Sequence, residues 1–487
     1  MCGIIGIQGT KSAVAEIFQG LLLLQHRGQD AAGILSYDDL TRQFHLHKDK
    51  GLVGKVFDEK NLPYLEGNAA IAHTRYATIA SKESSGSRDL QPMLVNYPHG
   101  LGLVHNGNIV NMEELTTQLR NEHHRIMLSK NDAEILLNVI STEIQNSIDE
   151  NPLEQLKLAS QKVFDQAMGG YAIVGLWANG HLFGMRDPHG IRPLVMGRKI
   201  KADGEAVHIL ASESNVLDYL GYEFLRDIQP GEMVAIDNQG KVHSSQSTVV
   251  KPKSPCMFEW VYFATPESIM DGTPVYEARL NLGKKLGEKI KLMMEAGKLE
   301  VDVVVPVPES GRIAAIALSE TIGVPYRELL IKNRYIQRSF ILKDQESRNR
   351  AVQMKLMAVS SELKGKRVLI VDDSIVRGTT SKRLIETLKM AGAKEVIFVS
   401  TCPPLKSPCY FGIDFPSTKE LVAANMTETQ LADFLGATAV IYQDIQGLKE
   451  ALNQENLCMG CLTGVYPFDI KDHGQKFQSA RMLSEKP

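Results

Sequence analysis

At 487 residues the chain exceeds what one hydrophobic core fills, about 250–300 residues, so two or more domains are expected. Its 43% hydrophobic and 23% charged side chains are those of an ordinary globular protein, and a formal charge of −3 argues against nucleic acid or an anionic membrane as the main partner. Six cysteines, at positions 2, 256, 402, 409, 458 and 461, are too sparse and irregular for a secreted disulfide framework; in a reducing compartment clustered cysteines point to metal binding or catalysis.

In chain order, MCGIIGIQG reads as a buried strand with a thiol one residue from the end. A small core residue is the plain account of Cys2. The sharper one is that an initiator methionine is commonly removed before a small residue, which leaves a thiol and a free α-amine on Cys2. The apolar run Ile17–Leu24 is broken by Gln19 and Gly20 and lacks a basic region and a cleavage site, so it neither spans a bilayer nor directs secretion, and a cytoplasmic location is expected. Short strands follow at Leu101–Asn108, Tyr171–Trp177 and His181–Asp187, with a helix over Asp132–Ile144, which predicts mixed α and β structure with antiparallel sheets. The Ser-, Lys- and Pro-rich stretch His243–Pro255 marks a domain boundary, giving domains over 2–242 and 256–470 and a tail over 471–487. Beyond it come a continuous apolar strand at Val301–Pro308, a helix at Arg312–Ile322 and a strand around Val324–Leu330. The scheme repeats with a strand at Lys366–Asp373, a helix over 380–391 stopped by Gly392, and a strand at Glu395–Thr401. Strands apolar on both faces and alternating with helices imply a parallel sheet covered by helices.

In VLIVDDSIVRGTTS the buried strand ends in Asp372 and Asp373 and passes through a short loop into a helix. Ligands of open α/β sheets sit at the carboxyl ends of strands, and loop amides with a helix N-terminus make a phosphate site. Ser374, Thr379 and Thr380 add hydroxyl donors, and Gly378 lets backbone approach a ligand. The acids would repel a phosphate, so accepting hydrogen bonds from vicinal sugar hydroxyls, directly or through hydrated Mg²⁺, suits them. A plain strand-to-helix turn capped by Asp373 is the bland reading, and the ordered run of motifs disfavours it. This run resembles the signature of the phosphoribosyltransferases, which bind 5-phosphoribosyl-1-diphosphate (PRPP). The resemblance implies that Asp372 and Asp373 meet the ribose hydroxyls, while Ser374, Ile375, Val376, Arg377, Gly378, Thr379 and Thr380 wrap the 5′-phosphate. VPVPESGR resembles that family's diphosphate-side loop and would place Ser310 with Asp372 and Asp373 at Mg²⁺. KNRYIQRSFI resembles the loop that closes over PRPP, with Lys332, Arg334 and Arg338 as cations for a diphosphate.

Phosphoribosyl transfer leaves the upstream half unexplained. A nucleophilic thiol needs a base, and a terminal residue supplies one in its α-amine, whose ordinary pKa is near ~8. HTRYAT, LVHNGNI and NDAE offer oxyanion donors and groups to hold a substrate. Read singly, Asn106-Gly107 is a hairpin-turn signal, Asp132 an N-cap and Arg75 a surface cation. Together with CGIIGI and QHRGQD they resemble the N-terminal-nucleophile (Ntn) glutamine amidotransferases. That resemblance implies Cys2 as the nucleophile, with the Asn106 side chain and the Gly107 N–H as the oxyanion hole. Arg75 would pair the substrate α-carboxylate and Asp132 its α-ammonium.

No SGGxDS-type ATP loop occurs, as asparagine synthetase would need, and a PRPP loop stands where sugar-isomerase domains would be needed for glucosamine-6-phosphate synthase. Both halves in this order, over about residues 2–470, resemble the amidophosphoribosyltransferases. The resemblance implies an Ntn αββα glutaminase domain followed by a type I phosphoribosyltransferase domain with a parallel sheet. It also implies conversion of glutamine, PRPP and water to 5-phosphoribosylamine, glutamate and diphosphate, the first committed step of de novo purine synthesis, with ammonia channelled between two active sites. Purine nucleotides as feedback inhibitors and a homotetramer are implied as well. The alternative, a PRPP-sensing regulator without turnover, would have no use for Cys2, Arg75, Asn106 and Asp132 together.

CMGC, alone, leaves zinc, a redox pair and core packing open. With KSPCYFGID and PCMFEW it resembles the iron–sulfur subgroup of that family, which implies Cys256, Cys409, Cys458 and Cys461 as thiolates of a [4Fe–4S] cluster. Cys402 has no counterpart and is expected to be structural. Three departures stand out: Cys2 directly follows Met1 with no propeptide, Thr265 stands where arginine is expected, and Gln337 where glycine is frequent.

Overall fold

The computed structural model describes residues 1–76, 87–332, 356–415, 417–470 and 473–474. The first half is built from strands β1 (Gly3–Gln8), β2 (Ala31–Asp38), β3 (Gln43–Lys50), β4 (Ala69–Arg75), β5 (Met93–Val95), β6 (Leu101–Ile109), β7 (Gly169–Trp177), β8 (Leu182–Arg186), β9 (Val195–Ile200), β10 (Ala206–Ala211), β11 (Glu223–Asp227), β12 (Glu232–Ile236) and β13 (Val242–Gln246). They form a seven-stranded sheet in the order β11-β9-β10-β1-β4-β2-β3 and a six-stranded sheet in the order β13-β12-β8-β7-β6-β5. Every pairing is antiparallel.

Side-chain alternation assigns the faces. In β1, Ile5 and Ile7 pack beneath the helix Ala13–Leu23, whereas Ile4 joins Val104, Val174 and Leu182 between the sheets. On the far face of the second sheet, Leu103, Tyr171 and Ile173 meet the helices Asp132–Asn146 and Pro152–Gln166. The result is a helix–sheet–sheet–helix sandwich. The strand VHSSQ pairs along its whole length with β12, so the connecting segment opens at Ser247 and not at His243. Its exposed residues alternate with half-buried ones, a period-two pattern that composition alone reads as loop.

The second half carries four parallel strands, Val303–Pro306, Arg367–Asp372, Glu395–Ser400 and Ala439–Tyr442, adjacent in that order. Val304, Leu369, Val371, Ile397 and Val399 pack on one side against the helices Val275–Glu295 and Arg312–Ile322. Val305, Val368, Ile370, Val396 and Phe398 pack on the other against Thr379–Met390 and Glu428–Leu435. The strand expected around Val324–Leu330 is a correction: this segment meets the parallel sheet at one bridge, Val304 to Tyr326. Pro325 has no N–H for a ladder, and Leu330–Lys332 instead pairs antiparallel with Leu356–Ala358.

A third core joins the halves. Met1, Val110 and Ile191 come from the first half, and Phe258, Trp260, Cys409, Phe411, Cys458 and Leu462 from the second. Among the described residues no helix is long and apolar enough to cross a membrane.

Candidate active site

The Cys2 N–H donates to Asn106 Oδ1 at 3.1 Å. With its oxygen engaged there, the Asn106 amide nitrogen, Nδ2, is buried without a hydrogen-bond partner. A buried orphan donor is costly, and its presence beside a thiol suits an oxyanion that forms only during reaction. Asn106 and Gly107 lie inside β6 and not in a hairpin turn. Gly107 has φ +148°, and a Cβ there would come within 2.0 Å of the Gly170 carbonyl oxygen, so only glycine fits. Arg75 ends β4, and the Gly3–Thr74 register sets it beside Cys2. It is buried, and among the described residues no carboxylate forms an ion pair with it. The N-cap of the helix Asp132–Asn146 is Asn131, whose side chain accepts from the Ala133 N–H at 2.9 Å. Asp132 is thereby released from capping, and it accepts from the Ile109 N–H at 3.3 Å and lies 3.2 Å from His105 Nδ1.

Two further residues of this site lie within HTRYAT and QHRGQD, where the sequence assigns them no role of their own. His73 pairs across the ladder with Ile4, and both of its ring nitrogens are buried without partners. Burial first, and then the neighbouring cation Arg75, push its pKa well below the usual range, so the imidazole is neutral. Arg27 donates from Nε to the Cys2 carbonyl at 3.1 Å.

In the other half Asp372 and Asp373 end a buried strand. Ser310 Oγ donates to Asp372 Oδ1 at 3.2 Å, and the Asp373 N–H donates to the same oxygen at 2.9 Å. Burial, reinforced at Asp372 by the like charge of Asp373, raises both pKa values above the ordinary carboxylate range. A divalent cation would relieve that repulsion, so two adjacent carboxylates with a hydroxyl fit Mg²⁺ as hard oxygen donors. Ile375 anchors the following loop in the core, and the Val376 carbonyl accepts from the Val422 N–H at 3.1 Å. Gly378, at φ +72°, starts the helix whose first turn exposes Thr379 and Thr380. Ser374 Oγ donates to Asp373 Oδ1 at 2.5 Å. Arg377 Nε donates to Glu420 Oε1 at 3.0 Å, so its guanidinium is held by a carboxylate while its backbone stays in the loop. Lys332 is exposed at the end of the short strand Leu330–Lys332, and Arg334, Gln337 and Arg338 lie outside the described residues.

Cys256, Cys409, Cys458 and Cys461 are buried together at the junction as free thiols, and the backbones of Cys256 and Cys458 pair in one parallel β-bridge. Burial pushes the Cys256 thiol up to about 11 and the thiols of Cys458 and Cys461 well above their ordinary value, with neighbouring cysteines adding to each. Among the described residues no group of three or more His, Cys, Asp or Glu is placed to hold a metal ion. Four thiolates on one zinc would stand about 3.8 Å apart, from bonds of about 2.3 Å in a tetrahedron. An all-cysteine donor set has the chemistry of a four-cysteine zinc site and of an iron–sulfur cluster alike. Cys402 is not among the four; its N–H donates to the Asp373 carbonyl at 2.8 Å. Thr265 donates from its N–H at 2.9 Å and its Oγ1 at 3.1 Å to Glu213.

The cysteine segment also touches the oxyanion strand. Asn108 Nδ2 donates to the Tyr410 carbonyl at 2.8 Å, and a Cβ on Gly412 would lie 3.0 Å from the Gly107 carbonyl.

A model of the glutamine amidotransferase domain matches residues 73–218, and a model of the phosphoribosyl transferase domain matches residues 276–424. Joined in one chain, these define a glutamine-dependent pentosyltransferase. The chain is 42% identical to the amidophosphoribosyltransferase of Pseudomonas aeruginosa over 454 residues, 93% of this chain and 89% of that one. With the Saccharomyces cerevisiae amidophosphoribosyltransferase it shares 40% identity over 483 residues, 97% of this chain and 93% of the other. A solved glutamine PRPP amidotransferase from B. subtilis, complexed with ADP and GMP, matches with a TM-score of 0.84 at 36% identity, covering 96% of this chain and 98% of that one. The chain belongs to the amidophosphoribosyltransferase family.

Asn106→Ala should lower glutamine hydrolysis about 10²- to 10³-fold in kcat, the usual effect of removing one oxyanion donor, with ammonia-dependent synthesis retained; steady-state glutamate release checks it. Because burial holds protons on the Asp372–Asp373 pair, Mg²⁺ binding should release protons, and affinity should rise with pH above the ordinary carboxylate value of about 4. Calorimetry in buffers of different ionisation heat reads that release directly.

Proposed function

We propose that the reaction, 5-phosphoribosylamine formation from glutamine, PRPP and water, is divided between these two sites. Arg75 pairs the α-carboxylate of glutamine and Asp132 its α-ammonium. With Met1 removed, the Cys2 α-amine takes the proton of its own thiol, and the thiolate attacks the side-chain amide carbon of glutamine. Asn106 Nδ2 and the Gly107 N–H receive the oxyanion. Ammonia departs with the transferred proton, leaving a thioester on Cys2, and water then releases glutamate and restores the thiol. The observation that carries this reading is the partnerless Asn106 Nδ2 beside Cys2, in a molecule that also buries the Asp372–Asp373 pair.

At the second site Asp372 and Asp373 hold the ribose hydroxyls. Ser374, Ile375, Val376, Arg377, Gly378, Thr379 and Thr380 surround the 5′-phosphate with loop amides and hydroxyls. Ser310, Asp372 and Asp373 would hold Mg²⁺, which supplies charge neutralisation to the leaving diphosphate, and Lys332 and Arg334 close the site from the lid. Ammonia attacks C1 as diphosphate leaves. Free ammonia is mostly protonated in water at neutral pH, so the apolar junction that includes Ile191, Phe258, Phe411 and Leu462 supports a sheltered passage between the sites. Cys256, Cys409, Cys458 and Cys461 would hold a [4Fe–4S] cluster, which would anchor the segment Cys409–Gly412 that itself lies against the oxyanion strand. The nucleotides bound to the B. subtilis relative support purine nucleotides as feedback inhibitors. A homotetramer in the cytoplasm completes the proposal.

Cys2→Ala should abolish glutamine-dependent synthesis and spare synthesis from added ammonia; loss of both in a folded protein would break the division of labour. Protein purified without oxygen should carry iron and acid-labile sulfide at about four each per chain, as a [4Fe–4S] cluster requires. Stoichiometric zinc would overturn that assignment.

A further inference from the structure

Arg27 and Arg192 are wholly buried, and a guanidinium out of water requires carboxylates and carbonyls around it. Arg27 comes from the turn after the helix Ala13–Leu23, and Arg192 from the loop between β8 and β9. Their shared partner, Glu259, belongs to the other half, at the start of the single-turn helix Glu259–Phe263. Arg27 Nη2 reaches Glu259 Oε1 at 2.8 Å and Oε2 at 3.0 Å. Arg27 Nη1 pairs with Glu213, and Arg192 Nη1 lies 3.4 Å from Glu259 Oε1. Two guanidinium groups and two carboxylates balance their charges with no solvent access.

The ends of this network are as well defined as its centre. Arg192 Nε donates to the Phe411 carbonyl at 2.7 Å, two residues from Cys409. Glu213 is also met by Thr265 and by Ser268 Oγ at 3.0 Å, both from the transferase half, and by the partly exposed His26 Nε2 at 2.8 Å from the first half. Arg279, on the helix Val275–Glu295, donates to the carbonyls of Trp260 at 2.9 Å, Tyr262 at 3.0 Å and Ala264 at 2.8 Å, fixing the turn that carries Glu259. Cys2 precedes β1 and so lies outside the regular strand. Its backbone is instead gripped at the N–H by Asn106 and at the carbonyl by Arg27.

We propose that Glu259, a residue of the transferase half, is a positioning residue for the Cys2 nucleophile, acting through Arg27. Both oxygens of its carboxylate hold Nη2 of the guanidinium while Glu213 holds Nη1, and the Nε–H on the same plane fixes the Cys2 carbonyl. The thiol is thereby held toward the Asn106 amide by a group from the other half of the chain. This role rests on Cys2 being the glutaminase nucleophile.

The test uses the full chain with Glu259→Gln, Glu259→Asp and Cys2→Ala. Glu259→Gln should lower glutaminase kcat about 10- to 100-fold, as expected for loss of a charged hydrogen bond, while KM for glutamine stays within about threefold. Alkylation of Cys2 by iodoacetamide should slow in parallel, and ammonia-dependent synthesis should hold. Glu259→Asp keeps the charge balance if the Gln variant does not fold, and should show the same split at smaller amplitude. Unchanged kcat in a folded variant overturns the role. So does an equal fall in ammonia-dependent synthesis, which would make Glu259 a support of the transferase fold. Glutaminase activity surviving in Cys2→Ala would remove the nucleophile assignment itself. An inactive Cys2→Ala beside wild-type Glu259 variants would remove only the positioning role.

Discussion

A guanidinium taken wholly out of water has to be met by carboxylates, and Arg27 is met by two that belong to different halves of the chain, Glu213 and Glu259. Charge buried in this way is tolerated only while every partner stays in place, because removing one leaves an uncompensated ion at a cost of about 3–5 kcal/mol. The penalty makes the junction a specified arrangement and not merely a greasy one. Around it the apolar residues Ile191, Phe258 and Phe411 exclude water, which strengthens each ion pair and each hydrogen bond in turn.

Each half-site keeps an unmet electrostatic demand in the folded chain. Beside Cys2 it is a donor without an acceptor, the Asn106 amide. At the end of the parallel sheet it is two adjacent buried acids, Asp372 and Asp373, raised in pKa by burial. Such preorganisation is established during folding and needs no rearrangement when charge appears, which is why it serves catalysis. The segment Cys409–Gly412 lies against β6 through Asn108 and Gly107, while the backbone of Cys402 is bonded to Asp373. The cysteine-bearing chain therefore borders both demands.

The chemistry that sequence makes legible is chemistry written contiguously. The run from Asp372 to Thr380, the Cys2 strand and the alternation of apolar strands with helices each declare themselves within a dozen residues. Asn106-Gly107 shows the limit of local reading: the same dipeptide that favours a hairpin turn sits mid-strand because the Gly170 carbonyl leaves no room for a Cβ. Asp132 resembles a cap, yet Asn131 performs the capping and leaves the aspartate free. The sequence of strand β13 reads as linker, because its small polar residues suit a loop as well as an edge strand. Glu259, Arg192 and His73 were invisible for another reason. Glu259 and Arg192 matter through partners about 232 and 67 residues away, and His73 through burial that only the folded sheet creates; no spacing rule reaches that far.

The central claim is that nitrogen leaves glutamine at Cys2 and reaches PRPP through the junction without entering bulk water. Supplying glutamine labelled with ¹⁵N in its side-chain amide, together with an excess of unlabelled ammonium, tests it by mass spectrometry of the phosphoribosylamine or of a stable derivative. At concentrations where glutamine carries most of the turnover, the account predicts product nitrogen that is almost entirely ¹⁵N. Label diluted to the isotopic composition of the bulk ammonium would contradict it.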